Sequence, residues 1–256
     1  MKLMTYNILN GGEERLPLIK SIIKEVGPDY LTLNEANGFS DNNNKILNEL
    51  AKDLKFEHYN IALSGEYDYH VAVFSRRKFT IVKKLQPLMR ACLITSLKTK
   101  EGSLSVASLH LTPYTEDLRH PEIDLIIKNQ KEYRNRILTG DMNSLSRYDG
   151  YQVEMVKDLN EMQLRKFTTD GKLRFDAIDK ILSFGYHDVA VKLNKNSDYT
   201  APTLINEHSA HSNMRLDYFF VSDSLAPKLV SYSVVKNDKT EKASDHYPVV
   251  MAIEGL

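Results

Sequence analysis

Ser244-Asp245-His246-Tyr247-Pro248 sets a carboxylate directly beside an imidazole. The apolar run Val249-Val250-Met251-Ala252-Ile253 follows at once and reads as a strand. Neighbouring side chains in extended backbone point to opposite sides. Asp245 and His246 can therefore serve a cation and a substrate oxygen separately only at a bend. Pro248 suits such a place, because without an N–H it belongs at the start or edge of a strand. The pair gains meaning from what stands at the ends of the other strands.

Working back, residues 230–235 read as a strand and residues 236–243 as a polar loop. Met214-Arg215-Leu216-Asp217-Tyr218-Phe219-Phe220-Val221-Ser222 is strongly β-prone, and Asp217 is its anomaly. A carboxylate facing inward among aromatic and aliphatic neighbours must be paired; a basic side chain and an imidazole are both open as its partner. At the other end of the chain, residues 2–8 read as a short buried strand ending at Asn7. Leu16, Ile19, Ile22, Ile23 and Val26 recur at helical spacing, and Gly27-Pro28 stops that helix. Residues 30–33 form the next strand, running into Asn34-Glu35. Strand, helix and strand in short succession resemble a βαβ unit.

The middle of the chain changes character. A polar loop at residues 41–44 leads into a helix carrying Ile46, Leu47, Leu50 and Leu54. Strands are expected at 58–61, 70–74, 79–85, 91–97 and 104–109, with a hairpin turn at Gly102-Ser103, so this part is antiparallel sheet. The last of these strands ends at His110. Residues 117–133 read as a helix burying Leu118, Leu125, Ile126 and Ile127, with Arg119, Glu122, Lys128 and Lys131 on a solvated side. Of these, Arg119 is the one that could reach a pocket. Residues 136–139 are a strand running into Gly140-Asp141-Met142-Asn143-Ser144, where Asp141 and Asn143, two apart, can share one side. A turn in which both bond locally is the equal alternative. Signals then weaken: helices are expected near 153–159 and 175–184, and a loop at 198–203. His208 and His211 are three apart, but Asn206, Glu207, Ser209 and Asn213 make that segment a polar loop rather than a metal site.

Asn7, Glu35, His110, Asp141, Asn143, Asp217, Asp245 and His246 thus fall at, or one step beyond, strand ends, and strand ends of facing sheets can converge on one cleft. Carboxylates with amides and imidazoles favour a hard cation with oxygen ligands, magnesium above all. Zinc would more often show closely spaced Cys or His, as in HExxH, which is absent. No Walker A pattern and no GxSxG elbow occurs.

Composition narrows the class further. The 256 residues are 42% hydrophobic and 27% charged, with a formal net charge of zero. That is an ordinary globular balance, without whole-molecule attraction to nucleic acid or anionic membrane. Cys92, the single cysteine, reads as a small buried hydrophobe. No signal-peptide core and no run of membrane-spanning length is visible. A single catalytic domain over residues 1–256, cytoplasmic and monomeric, is the expectation.

Six segments together resemble the endonuclease/exonuclease/phosphatase superfamily: TYN at 5–7, LNE at 33–35, SLH at 108–110, GDMN at 140–143, RLDYFFVS at 215–222 and SDHYPV at 244–249. They stand in the order found in that superfamily and span nearly the whole chain. The resemblance implies a four-layer α/β sandwich, two mixed β-sheets packed face to face with helices outside. It implies a magnesium site (manganese as the substitute) with Glu35 as principal ligand, Asp245 as a second carboxylate and Asn7 beside them. Asp217 would orient His246, Asp141 would position or deprotonate the attacking water, and Asn143 and His110 would hold phosphate oxygens. The family usually carries glutamine before its metal glutamate; Asn34 departs from that. Histidine at 110 leans away from the repair-endonuclease branch, which has tyrosine there.

The implied reaction is hydrolysis of a phosphate ester, with nucleic acid the leading substrate. Balanced charge speaks against a broad phosphate-tracking face. No tryptophan is present, though fourteen tyrosines and nine phenylalanines could stack on bases. A phospholipid or phosphoinositide headgroup phosphohydrolase is the alternative, and a non-catalytic binding protein on the same fold is the alternative of another class. Residues 144–150 and 203–213 are the expected rims of the pocket.

Overall fold

The computed structural model describes residues 1–205 and 213–256. In chain order the elements are β1 (Lys2–Asn7), α1 (Leu16–Val26), β2 (Tyr30–Asn34), α2 (Asp41–Leu54), β3 (His58–Ala62), β4 (Val71–Ser75), β5 (Phe79–Lys84), β6 (Ala91–Thr99), β7 (Gly102–His110), α3 (Glu116–Gln130), β8 (Asn135–Asp141), α4 (Glu161–Phe167), β9 (Thr168–Thr169), β10 (Lys172–Leu173), α5 (Asp176–Ser183), β11 (Tyr186–Asp188), α6 (Val189–Lys192), β12 (Asp217–Ser222), β13 (Leu229–Val234) and β14 (Val249–Ile253). One six-stranded sheet runs β13-β14-β1-β2-β4-β3, the other β11-β12-β8-β7-β6-β5, and β9-β10 is a small hairpin. Both large sheets are mixed: β1/β2 and β7/β8 are parallel, and their other neighbours are antiparallel.

Alternation along each strand builds the layers. Leu3, Tyr30, Val73, Leu93, Val106, Phe219 and Met251 form the core between the sheets. Leu31, Leu33 and Phe74 face the other way, under Ile19 and Ile23 of α1 and Leu47 and Leu50 of α2. Leu109, Leu138 and Phe220 lie under Ile123 and Ile126 of α3 and Ile178 and Ile181 of α5. Helices, sheet, sheet and helices make the four layers expected from the sequence.

One face of β2 also carries a polar seam across the inter-sheet core. Tyr30 Oη bonds Thr95 (2.8 Å) and Ser108 (3.2 Å), and Thr32 Oγ1 bonds Ser108 Oγ (2.7 Å). Asn34 donates to Leu109 O (2.8 Å) and accepts from Asp141 N (3.2 Å). These residues are two apart, so they share a face, and each hydroxyl or amide meets the opposite sheet. The seam fixes how one sheet lies on the other and ends at the site.

Three of the expected elements take a different form in the structure, and β9, β10, β11 and α6 were not expected. The β6–β7 turn is Lys100-Glu101, and Gly102 (φ 100°) opens β7 opposite Thr99. Thr99 Oγ1 donates to Gly102 O and accepts from Glu101 N, which closes the turn two residues earlier than expected. Residues 153–155 make only a 3-10 turn; the α-helix of that region is α4, beginning at Glu161. On α3, Arg119 and Glu122 are buried and Leu118 is 41% exposed, the reverse of the expected faces. Arg119 donates to Thr112 O, Glu116 and Lys166 O, while Glu122 accepts from the Met89 and Thr112 amides. Buried charge is tolerated there because Arg119 Nε and Nη1 and both Glu122 oxygens are hydrogen-bonded.

Candidate active site

Strand ends from both sheets deliver the candidate residues to one place. Asn7 closes β1, and Glu35 follows β2 in a left-handed conformation (φ 58°) that turns the chain aside. His110 closes β7 and Asp141 closes β8, paired in register with each other. Asp217 opens β12 opposite Asp141. Gly140 permits this convergence: at φ 135°, a Cβ on it would lie 1.8 Å from Leu109 O. Asn143 also takes a left-handed turn (φ 50°), so its amide N–H reaches Asp141 Oδ1 at 2.8 Å.

The contacts tie these groups together. Asn7 Nδ2 donates to Glu35 Oε1 (3.2 Å) and to Asp141 Oδ2 (3.1 Å), bridging the two sheets. Asn10 N donates to Glu35 Oε2 (3.1 Å). His110 Nε2 lies 3.4 Å from Asp141 Oδ2. Asn143 Nδ2 donates to Leu111 O (3.0 Å). His246 Nδ1 donates to Asp217 Oδ2 at 2.7 Å, so the imidazole is the partner that Asp217 required. Ser244 holds the Asp245–His246 bend by donating to Asn7 O (2.7 Å). Thr200 supports the other side, its hydroxyl accepting from Leu216 and Asp217 N–H and its carbonyl from Tyr247 N. Every expected site residue therefore lies in this one region.

Electrostatics separates their roles. Burial disfavours charge on His246, but Asp217, Asp245 and Asp141 outweigh it and push its pKa up to about 10. The pair is thus imidazolium and carboxylate, although burial raises the Asp217 carboxyl. Burial pushes His110 the opposite way, down to about 3, so it is neutral. Asp141 resists its own burial through His110, His246 and Lys166 and falls to about 2. Burial, then the facing Asp245 carboxylate, raises Glu35.

Two sets of groups could receive a cation. Glu35 and Asp245 are hard oxygen donors that repel one another, with the Asn7 amide alongside, which fits magnesium or manganese. One ligand atom each from Asp141, Asp217 and His246 also lie within 4.8 Å of one another. There, however, His246 Nδ1 is engaged by Asp217 and the ring is protonated, and a protonated imidazole nitrogen is a donor with no lone pair for a metal. The oxygen set is the better fit.

Two cations escaped the sequence reading. Arg90 lies just before β6, 8% exposed, stacked 3.7 Å from the Tyr69 ring, with Nε and Nη1 unpartnered among the described residues. Its charge helps depress His110, which places it at the site's edge. Only its position before a strand pairing with the His110 strand could have flagged it. Lys166 comes from α4, whose signal was the capping box Asn160…Gln163. Of the expected rims, Ser144, Ser146 and Thr203 are instead buried: Ser144 Oγ bonds Glu116, and Thr203 N donates to Asp245 O. His208 and His211 lie outside the described residues.

A fold of two mixed sheets with facing strand ends that carry an Asp–His pair, further carboxylates and amides defines a phosphoester hydrolase architecture. The chain belongs to the Endonuclease/Exonuclease/phosphatase family, whose model matches residues 4–246. Among solved structures it is similar to an AP endonuclease from Archaeoglobus fulgidus (20% identity, 99% of each chain, TM-score 0.74). It is also similar to a 3′ phosphatase from Neisseria bound to product DNA hairpin (19%, 99% of each chain, 0.73). A family protein from Leptotrichia buccalis matches at 19% over 99% of each chain, with TM-score 0.69. No curated protein matches the sequence. Among the described residues, no helix is long and apolar enough to cross a membrane.

Proposed function

We propose that this protein is a divalent-metal-dependent phosphodiesterase, a nuclease acting by in-line attack of water on phosphorus. The observation that carries the reading is the 2.7 Å Asp217–His246 bond beside an Asp141 carboxylate that Asn7 and His110 also contact. Nucleic acid leads as substrate because the similar structures include a DNA-bound phosphatase and an AP endonuclease.

Glu35 and Asp245, with Asn7 orienting Glu35, would hold magnesium or manganese. When bound, the cation would polarise a phosphoryl oxygen and offset the charge developing on it. Asp141, with its pKa near 2, is a weak base; its part is to accept a hydrogen bond from the attacking water and aim it along the line of the leaving oxygen. His246 donates from Nδ1 to Asp217 and would donate from Nε2 to a non-bridging oxygen, with the full charge of an imidazolium. Neutral His110 and the Asn143 amide would hold further phosphate oxygens. Preorganised donors of this kind stabilise charge where it appears in the transition state.

The test is hydrolysis of bis(4-nitrophenyl) phosphate, abasic duplex, single-stranded DNA, RNA and phospholipid headgroups by the purified protein. Turnover with magnesium or manganese that stops with EDTA is expected. Absence of turnover on every ester with either metal would refute the reading. His246→Ala is expected to lower kcat by about a hundred- to ten-thousand-fold, the usual span for a proton-donating group, with the fold intact by circular dichroism.

A further inference from the structure

We propose that Lys166 is a further substrate-binding residue, an ammonium carried to the acidic site by α4 to take a non-bridging oxygen of the scissile phosphate on the Asp141 side. The inference rests on the phosphohydrolase reading and adds to it a residue that no strand end supplies.

The placement of α4 is over-determined. Its N-terminus is closed by reciprocal bonds between Asn160 and Gln163. At its other end Phe167 is fully buried in a small core with Leu145, Met214 and Leu216. Those three residues flank the site directly: Leu145 follows Asn143-Ser144, and Met214 and Leu216 precede Asp217. The backbone of Lys166 is pinned as well. Arg119 Nη1 donates to Lys166 O at 3.0 Å, while Arg119 also holds Glu116, and Glu116 receives the Ser144 hydroxyl and Ala177 N. A chain of buried hydrogen bonds thus links residue 166 to the residue beside Asn143.

From that fixed base the side chain is half-buried. Its Nζ stands 5.6 Å from the Phe167 ring centroid. Among the described residues it has neither an ion pair nor a hydrogen bond, although an ammonium carries three donors. Burial, with Arg119 adding to it, lowers its pKa to about 8 against the attraction of Asp141, Glu35 and Asp245, and its charge in turn lowers the pKa of Asp141 and His110. A cation near three carboxylates, paired to none of them, is suited to an anion that arrives with the substrate. A phosphate entering this site meets Glu35, Asp141, Asp217 and Asp245, and Lys166 offsets part of that repulsion. The rival role is a plain counter-ion for the acidic cluster, which a bound metal would displace.

Lys166→Met and Lys166→Arg separate these roles. Three quantities are measured: turnover of bis(4-nitrophenyl) phosphate with magnesium, the inhibition constant of inorganic phosphate in that assay, and magnesium and phosphate affinities by calorimetry. The expected result for Lys166→Met is phosphate affinity weakened about tenfold or more and kcat/KM lowered about a hundredfold, the scale of losing one preorganised donor. Melting temperature should be unchanged, and Lys166→Arg should recover most of both losses. Unchanged phosphate affinity in Lys166→Met overturns the proposal, and tighter magnesium binding alongside it would identify the counter-ion role. Should Lys166→Met melt early, Lys166→Gln is read by the same measurements. A wild-type protein inactive on every ester would count against the phosphohydrolase reading, while calorimetric phosphate binding would still test Lys166.

Discussion

His246 and His110 stand in one pocket and are driven to opposite charge states. Three carboxylates hold the His246 proton to about 10, above an ordinary value of ~6.5. Its ion pair therefore stabilises the fold fully below pH ~6.5, and that contribution is lost as pH rises through about 10. Asp217→Asn keeps the shape and removes the nearest charge. The His246 pKa, followed by NMR of the ring protons, is expected to fall by about one to three units; a titration left in place would show that Asp217 does not hold the proton. His110 shows the reverse linkage. With a folded pKa near 3, its contribution is complete above pH ~6.5 and erodes as the unfolded chain takes up the proton below that. His110→Gln should flatten the fall in urea midpoint between pH 7 and 4, and a wild-type-like slope would contradict it. These residues were legible in the sequence as types at strand ends. Their charge states were not, because those depend on burial and on Asp217 and Asp141, which come from other segments.

Among the elements, the strand ends do the positioning, and Asn34 and Gly140 are the places to test it. Asn34 connects β2 to Leu109 O of β7 and to Asp141 N of β8. Asn34→Ala would remove both of these inter-sheet bonds and is expected to cost about 1–3 kcal/mol, at roughly 0.5–1.5 for each bond. Gly140→Ala would drive a Cβ into Leu109 O and strain the turn before Asp141; a loss of roughly 3 kcal/mol or more is expected. Urea denaturation measures both, and midpoints equal to wild type would remove the convergence argument. The strands of both sheets other than the three-residue β11 were readable because period-two alternation survives in short segments such as Tyr30–Asn34. The faces of α3 were not, since Arg119 and Glu122 are buried by partners more than a turn away in sequence, at Thr112, Met89 and Lys166. α4 was hidden for a related reason: it has a single fully buried side chain, Phe167, and Met162 is 73% exposed, too little for a periodic pattern.

At the scale of the molecule, a formal net charge of zero has to coexist with a substrate that is itself an anion. The layered architecture was legible because six motif segments each fall at a strand end, and a two-sheet fold brings those ends together. Substrate choice was not legible, because it depends on where isolated cations such as Arg90 and Lys166 come to rest. Those positions make attraction to phosphate local: Arg90, Lys166 and His246 surround the site, while the chain as a whole carries no net charge. Each phosphate neutralised on a single strand contributes about −0.7 to the slope of log affinity against log salt. Three cations therefore set a slope of about −2 for single-stranded DNA, whereas a protein with a broad basic face would show a slope several times steeper. Fluorescence anisotropy with the His246→Ala variant, which removes turnover, measures the slope after adding the lost cation back into the count. A slope near −1.4 for that variant, falling further in Lys166→Met, follows from recognition confined to the site. A slope steeper than about −5 would mean that phosphates are gripped over a surface much wider than the strand ends describe.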